Sequence, residues 1–192
     1  MNVSNEDAQE SLAAVTETML RTRKAVAAAY SSPLLILWGL LWVAAYSATH
    51  FYLKYADVIF GVMAGVGLLG SFIVWQRVKR NLPVKEPTEE KLNWRIGGLW
   101  WSLFIYVFVW LNLFRPVNGM QMNAFICTAV MFAYVVMGLW FAVYFMVWLG
   151  LIVTATTLVG FYLLPSYYCL WMAVTAGGLL LVTGLYLHAR WR

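Results

Sequence analysis

Long stretches without charged residues dominate this chain, and their lengths match the thickness of a lipid bilayer. A helix needs about 20 apolar residues to cross a hydrocarbon layer of roughly 30 Å. Three such stretches occupy residues 33–53, 58–76 and 96–114, and a charged residue directly follows each of them. Between residues 116 and 189 the chain contains no Asp, Glu, Lys or Arg. The pattern therefore predicts three membrane spans followed by a long apolar region.

This apolar region is long enough for three further helices. We predict them at residues 122–136, 141–163 and 168–187. A turn at Pro165 separates the last two, because proline disfavours helical conformation in the residue before it. A break at residues 138–140 separates the first two. The predicted fold class is thus all-α, a polytopic membrane bundle of six helices; the alternative of five needs one long tilted helix over residues 122–164.

The distribution of Lys and Arg supports an even number of spans. Six transits bring the N-terminal region, the connection at residues 77–95 and the C-terminus to one face. Eleven of the 13 Lys and Arg residues lie in these segments, and only Lys54 and Arg115 lie on the other face. Since Lys and Arg accumulate in cytoplasmic loops, both termini are predicted to be cytoplasmic. Five helices would move Arg190 and Arg192 to the opposite side and weaken this bias.

The chain divides into two parts by its pattern. Residues 1–31 are predicted to form a cytoplasmic or interfacial amphipathic helix, and residues 32–192 a transmembrane bundle with a basic cytoplasmic loop at 77–95. A narrow apolar seam follows the N-terminal helix at three- and four-residue steps, formed by Leu12, Val15, Met19, Thr22 and Val26. This helix either lies on the membrane surface or packs on its own bundle. Alternatively, it pairs with a second copy or a cytoplasmic partner.

Composition agrees with the spans. Hydrophobic residues make up 63% of the chain and charged residues 11%, and the mean hydropathy is +0.74. Average soluble domains have about 45–50% apolar and about 25% charged residues, so the sequence indicates a protein solvated by lipid. The net charge of +5 follows from topology and is not taken as a sign of nucleic-acid binding. We expect Arg77, Lys79 and Arg80 to contact anionic lipid headgroups.

Residues that could carry chemistry are few. No Asp, Glu, Lys or Arg lies clearly within a span, which argues against proton-coupled transport. Asp57 lies at a helix end, and we expect it to pair with Lys54. The motifs HExxH, CxxC and GxSxG do not occur, and the sequence therefore predicts a protein that is not an enzyme. A passive path remains open as an alternative, lined by Asn112, Thr154, Thr156 and Thr157.

His50 is a candidate cofactor ligand, and Cys127 and Cys169 are candidates for a disulfide. His50 lies amid aromatic residues near the end of the first span, where a lone histidine can bind a haem or chlorophyll axially. We expect it instead to be an interfacial hydrogen-bonding residue, and no cofactor is predicted. Cys127 and Cys169 both fall near the same membrane face. We expect two free thiols packed as small hydrophobic groups, with a disulfide as the alternative.

Small residues predict where helices approach each other closely. Gly61 and Gly65 form a GxxxG pair in the second span, and Ala173 with Gly177 repeats the spacing in the sixth. We expect the pair Gly61 and Gly65 to face a helix of the same chain rather than another chain. The leading functional hypothesis is an accessory or scaffolding subunit acting through helix packing with itself or a larger membrane complex. The alternatives are a carrier, channel or substrate-binding subunit for an apolar or weakly polar molecule, and a pigment- or haem-binding subunit.

Two resemblances bear on these hypotheses. The residues Glu10-Ser-Leu and Thr22-Arg-Lys-Ala25, followed by Ile36-Leu-Trp-Gly39, resemble the start of uncharacterised small multi-pass bacterial membrane proteins. That resemblance covers about 30 residues and implies a bacterial inner membrane but no activity. The three hairpins and the size are also similar to those of the substrate-binding subunits of energy-coupling-factor vitamin transporters. These subunits have a small-residue motif in the first helix, and Ala44-xxx-Ala48 would correspond to it.

Overall fold

The computed structural model describes the backbone of residues 5–81, 87–114 and 118–190, which consist of helices joined by turns. The α-helices are α1 (Asn5–Phe51), α2 (Ala56–Asn81), α3 (Pro87–Phe114), α4 (Gly119–Trp140), α5 (Tyr144–Leu163), α6 (Tyr168–Met172) and α7 (Gly178–Arg190). A π-helical segment, Ala173–Gly177, joins α6 to α7 into one continuous sixth span. Short 3₁₀ segments at Leu53–Tyr55 and Pro165–Tyr167 lead into α2 and α6.

Six helices within the described part of the chain are long and apolar enough to cross a membrane. The predicted count of six is therefore confirmed, and the alternative of five is wrong. Because successive spans alternate in direction, the turns at residues 52–55 and 164–167 and the C-terminal end of α3 lie on one side of the bundle. We call this side the distal face. The opposite side, which carries the N-terminal part of α1 and the end of α7, is the terminal face.

The first helix is much longer than a bilayer is thick. α1 contains 47 residues and therefore extends for about 70 Å. It runs without a break across the predicted boundary at residues 31–32, with Pro33 inside it. Leu12 and Val15 of the predicted seam are exposed, so that the described portion of the seam does not pack on its own bundle. The side chains of Met19, Thr22 and Val26 lie outside the described part of the structure.

The turn between α4 and α5 lies three residues beyond the predicted break, at residues 141–143. The amide of Val143 donates to the carbonyl of Gly138, and the amide of Ala142 donates to the carbonyl of Leu139. These two bonds form a Schellman motif, which ends a helix with one residue in the left-handed conformation. Ala142 occupies that position with a φ of 55°. In this motif the left-handed position is usually glycine, whereas in this chain it is Ala142.

The core lies between α1, α4, α5 and the sixth span. Fully buried side chains from all four contribute, among them Leu35, Met131, Val153 and Met172. The helices α2 and α3 are peripheral. Only 6% of the residues in the apolar segment of each are buried, against 28–39% in the other four spans. α2 packs on α1, and α3 packs on α4. The second and third spans therefore present most of their surface to the surroundings of the bundle.

Candidate functional site

A lateral groove separates α1 from α2 near the distal face. It is a shallow, open depression with a volume of about 350 Å³. Every residue that lines it is aliphatic or is methionine: Leu41, Ala44, Ala45, Ala48, Val58, Ile59, Val62, Met63 and Val66. Its volume is near the lower limit of small-molecule pockets, which are about 300–1,000 Å³. Without a polar group in its wall, the groove can accept hydrocarbon but cannot orient a polar solute.

A tight contact between α1 and α2 lies beside the groove, nearer the terminal face. There, a side chain at Gly67 would collide with the ring of Trp38, and a Cβ at Gly70 would lie 2.7 Å from Leu37 Cδ2. The indole Nε1 of Trp38 donates a hydrogen bond of 3.0 Å to Ser71 Oγ in the same contact. Large α1 side chains thus occupy the space that glycines leave on α2.

Gly61 and Gly65 do not take part in that contact. Within the described part of the chain, a Cβ added at either glycine would meet no atom within 4 Å. The expectation that this pair faces another helix of the same chain is therefore wrong. Helical periodicity places both glycines on the side of α2 turned away from Trp38 and next to the groove residues Val58 and Val62. The predicted GxxxG face is open, and the glycines that pack within the chain are Gly67 and Gly70.

The small residues of the sixth span lie in a close intrachain contact with α1. A Cβ at Gly177 would lie 2.8 Å from the backbone nitrogen of Val43, and one at Gly184 would lie 2.8 Å from that of Ile36. Ala173 is buried one turn before Gly177. On the α1 side, Gly39 comes similarly close to Leu181. The predicted pair Ala173 and Gly177 therefore belongs to a longer glycine interface that holds the first and sixth spans together.

Three helices meet at a polar cluster that sequence reasoning missed. Oδ1 of Asn123 in α4 accepts a hydrogen bond of 2.7 Å from the Tyr46 hydroxyl in α1. The same oxygen accepts one of 2.9 Å from the Tyr168 hydroxyl at the start of α6. Both tyrosines are buried. An asparagine inside the fourth span was the available signal, because a polar side chain inside a membrane helix needs a partner.

Further polar side chains surround this cluster. Cys127 Sγ lies 3.4 Å from Thr157 Oγ1, and both residues are buried. The hydroxyl of Thr49, one turn after Tyr46 in α1, is buried and has no hydrogen-bond partner within the described part of the chain. Cys127 and Cys169 are free thiols, as predicted. The cluster is therefore a packed polar layer near the distal end of the core.

The residues considered for a passive path do not converge. Thr156 and Thr157 each donate to the carbonyl of Val153 in their own helix, α5. Asn112 donates to the carbonyl of Phe108 and is exposed on the peripheral helix α3. Each of these side chains donates its hydrogen bond to a backbone carbonyl of its own helix. In addition, α3 packs on α4 rather than on α5. The proposed lining is therefore divided between two separate parts of the bundle.

The remaining predicted residues lie at the two faces. The His50 ring stacks on Tyr167 at 6.4 Å and meets Phe51 edge-on at 5.3 Å, both near the distal face. Lys54 and Asp57 are exposed there, and the expected ion pair between them is not formed. Within the described residues, no three His, Cys, Asp or Glu side chains come together as a metal site would require.

On the terminal face, Arg77 and Arg80 are exposed at the end of α2, where they can reach a headgroup layer. The side chain of Lys79 and the loop residues 82–86 lie outside the described part. Arg115, the other predicted distal cation, lies outside it as well.

Comparisons with protein-family models, with curated proteins and with solved structures gave no match for this chain.

Proposed function

We propose that this chain is a non-enzymatic subunit of a membrane assembly, and that it associates through the face of α2 that carries Gly61 and Gly65. One observation carries the proposal: the two glycines lie four residues apart on one face of α2, and both are open. In lipid, helices associate through close packing rather than through escape from water, and glycine allows two backbones to approach. An open GxxxG face on a peripheral helix is suited to such a contact.

The proposed partner is a second copy or a larger complex in a bacterial inner membrane, with both termini in the cytoplasm. The long N-terminal helix supports the same function. Leu12 and Val15 are exposed on α1 well before its membrane span, and helix pairing outside the membrane would cover them. The open face of α2 and the exposed residues of α1 both lie outside the core, where a partner could contact them.

The experiment counts subunits of the full chain in lipid bilayers by single-molecule photobleaching. Replacement of Gly61 and Gly65 by isoleucine should weaken association by about fivefold or more, because overpacked contacts lose roughly 1–3 kcal/mol. Thermal stability should stay unchanged, since no atom in the described part of the chain occupies the space next to either glycine. The matched control replaces Gly97 and Gly98 of α3, which are equally open, by isoleucine.

The outcomes are distinct. Loss of association with the α2 pair alone supports the proposal. Unchanged association, or equal loss with both pairs, contradicts it. A monomeric wild-type protein would direct the search to a different partner, found by native mass spectrometry of the gently solubilised complex; a species that contains only this chain would then overturn the proposal. The pigment-binding alternative is checked by an absorption spectrum of the same sample.

A further inference from the structure

The sixth span is interrupted by a π-helical turn in its middle. Between α6 and α7, the amide of Gly178 donates to the carbonyl of Ala173, five residues back. Because such a bond reaches one residue further than in an α-helix, the turn accommodates one extra residue. In the same segment the Thr175 hydroxyl donates a hydrogen bond of 2.8 Å to the carbonyl of Trp171. Threonine side chains make such bonds where the backbone pattern of a membrane helix is irregular.

The distal part of the span, α6, is held by side chains that reach two other helices. The Tyr168 hydroxyl donates to Oδ1 of Asn123 in α4 at 2.9 Å. The indole Nε1 of Trp171 donates to the carbonyl of Thr156 in α5 at 2.8 Å. The ring of Trp171 also occupies the space beside Gly160, where a Cβ would lie 2.6 Å from its Cδ1. All three contacts depend on the rotation of α6 about its own axis.

The terminal part of the span, α7, is held differently. Its backbone packs on the backbone of α1, since a Cβ at Gly184, and one at Gly177 just before α7, would each lie 2.8 Å from an α1 backbone nitrogen. The Ser32 hydroxyl in α1 also donates to the carbonyl of Gly184 at 3.1 Å. A rotation of α7 would push α1 away. Any rotation within the span is therefore easier for α6, which is held by single side chains.

We propose that the π-helical segment Ala173–Gly177 is a conformational switch that converts to α-helix and back, and that α6 turns with it. One residue corresponds to about 100° of helix rotation. In the α-helical state Tyr168 and Trp171 therefore leave their acceptors, while α7 stays on α1. Regular backbone geometry favours the α-helical state, and the two interhelical hydrogen bonds favour the π-helical state. Each such bond is weak in a membrane, so that the opposing contributions are of comparable size.

The switch controls access to the polar cluster of the core. Asn123 lies in the first turns of α4, near the distal face, and the Tyr168 hydroxyl occupies its Oδ1 in the π-helical state. Small residues surround the turning point: Ala173 and Ala176 are buried, and a Cβ at Gly178 would have its nearest neighbour at 4.0 Å. Rotation of α6 thus meets little steric resistance there, and it opens Asn123 towards the distal side.

Fluorine-19 NMR of the full chain in nanodiscs tests the proposal. One trifluoromethyl label is attached at Leu170→Cys, an exposed position of α6, with Cys127 and Cys169 replaced by serine. We expect two signals, of which the smaller represents the α-helical state. Tyr168→Phe should raise the ratio of the smaller to the larger signal about three- to eighteenfold, the effect of one interhelical hydrogen bond. Tyr167→Phe, the same change at the exposed neighbouring position, should leave the ratio unchanged.

A second test removes the extra residue. Val174 is exposed within the π-helical segment. Its deletion leaves Tyr168 and Gly177 in their present register on a continuous α-helix, so that the protein should fold and give the larger signal alone. The matched control deletes Val182, which is exposed in α7. That deletion moves Gly184 out of register with Gly177 on α1 and should lower the folded yield.

Each result decides for or against the switch. A single signal that persists in Tyr168→Phe overturns the proposal, and so does an equal change with Tyr167→Phe. A Val174 deletion that keeps both signals, or that folds as poorly as the Val182 deletion, also overturns it. The switch does not depend on association through α2. Both signals should therefore persist when Gly61 and Gly65 are replaced by isoleucine, and loss of the smaller one there would assign it to association instead.

Discussion

The hydroxyl of Tyr46 in α1 donates a 2.7 Å hydrogen bond to Oδ1 of Asn123 in α4. The two residues are separated by 77 positions in sequence, and the bond connects two helices of the core. Tyr168 shares the same acceptor oxygen, so that one asparagine connects three helices. Interhelical hydrogen bonds in membrane proteins contribute about 0.6 kcal/mol on average and up to about 1.7 kcal/mol.

This cluster gives a first prediction. Tyr46→Phe and Tyr168→Phe should each lower the free energy of unfolding by about 0.6–1.7 kcal/mol, since each removes one hydrogen bond without changing the ring. Asn123→Ala should cost more than either one, because it removes both bonds. The effects are measured by reversible unfolding in mild detergent. Tyr134→Phe in α4 serves as control, since the Tyr134 hydroxyl has no hydrogen bond within the described part of the structure. Equal losses at Tyr46, Tyr168 and Tyr134 would contradict the prediction.

The left-handed residue between α4 and α5 gives a second prediction. Ala142 has a φ of 55°, a conformation that costs an L-residue about 1–2 kcal/mol and glycine little. Ala142→Gly should therefore raise the free energy of unfolding by about 0.5–1 kcal/mol, after the greater flexibility of glycine in the unfolded chain is subtracted. Thermal unfolding in detergent measures the change. The same replacement at Ala155, inside α5, should act in the opposite direction. A destabilising Ala142→Gly would contradict the assignment of backbone strain to this turn.

Two adjacent glycines of the sixth span give a third prediction. A Cβ at Gly177 would lie 2.8 Å from Val43, whereas one at Gly178 would have its nearest neighbour, the Ala173 carbonyl oxygen, at 4.0 Å. Gly177→Ala should thus separate α1 from the sixth span and destabilise the bundle by about 1–3 kcal/mol. Gly178→Ala should be neutral or stabilising. The measurements are the folded yield and the melting temperature of the two variants. Equal melting temperatures would contradict a close contact between Gly177 and Val43.

The orientation of the bundle gives a fourth prediction. A reporter that is active only in the cytoplasm should give signal when fused after Arg192 or inserted within residues 84–90. Insertion near residues 115–119 should give none, because the positive-inside rule places this turn on the opposite side. The measurement is reporter activity normalised to the amount of inserted protein. Activity near residues 115–119 would reverse the topology.

Open and packed glycines have the same local sequence signature in this chain. Gly61 and Gly65 are four residues apart, as are Ala173 and Gly177, and both pairs satisfy the small-residue pattern. Of the three glycines in these two pairs, Gly177 meets a neighbouring backbone, at Val43, and Gly61 and Gly65 do not. The spacing of small residues identifies a helix face that a second helix can approach closely. Whether a second helix packs there depends on where the other helices of the bundle lie. For the same reason the hydrogen-bond partners of Asn123, distant in sequence, were not predicted.

Local features of the sequence were enough to predict the all-α class, the six spans and, to within a few residues, the turns at residues 52–55, 141–143 and 164–167. These properties depend on local quantities: the length of each uncharged segment relative to the bilayer, and the proline and charged residues that end it. The tertiary structure alone decided that α2 and α3 are peripheral, that Gly67 and Gly70 pack within the chain, and that a groove opens beside Ala44 and Val62. In lipid, an apolar helix face is equally well solvated on either side. Hydrophobicity therefore places a helix in the membrane, while shape and a few hydrogen bonds select its neighbours.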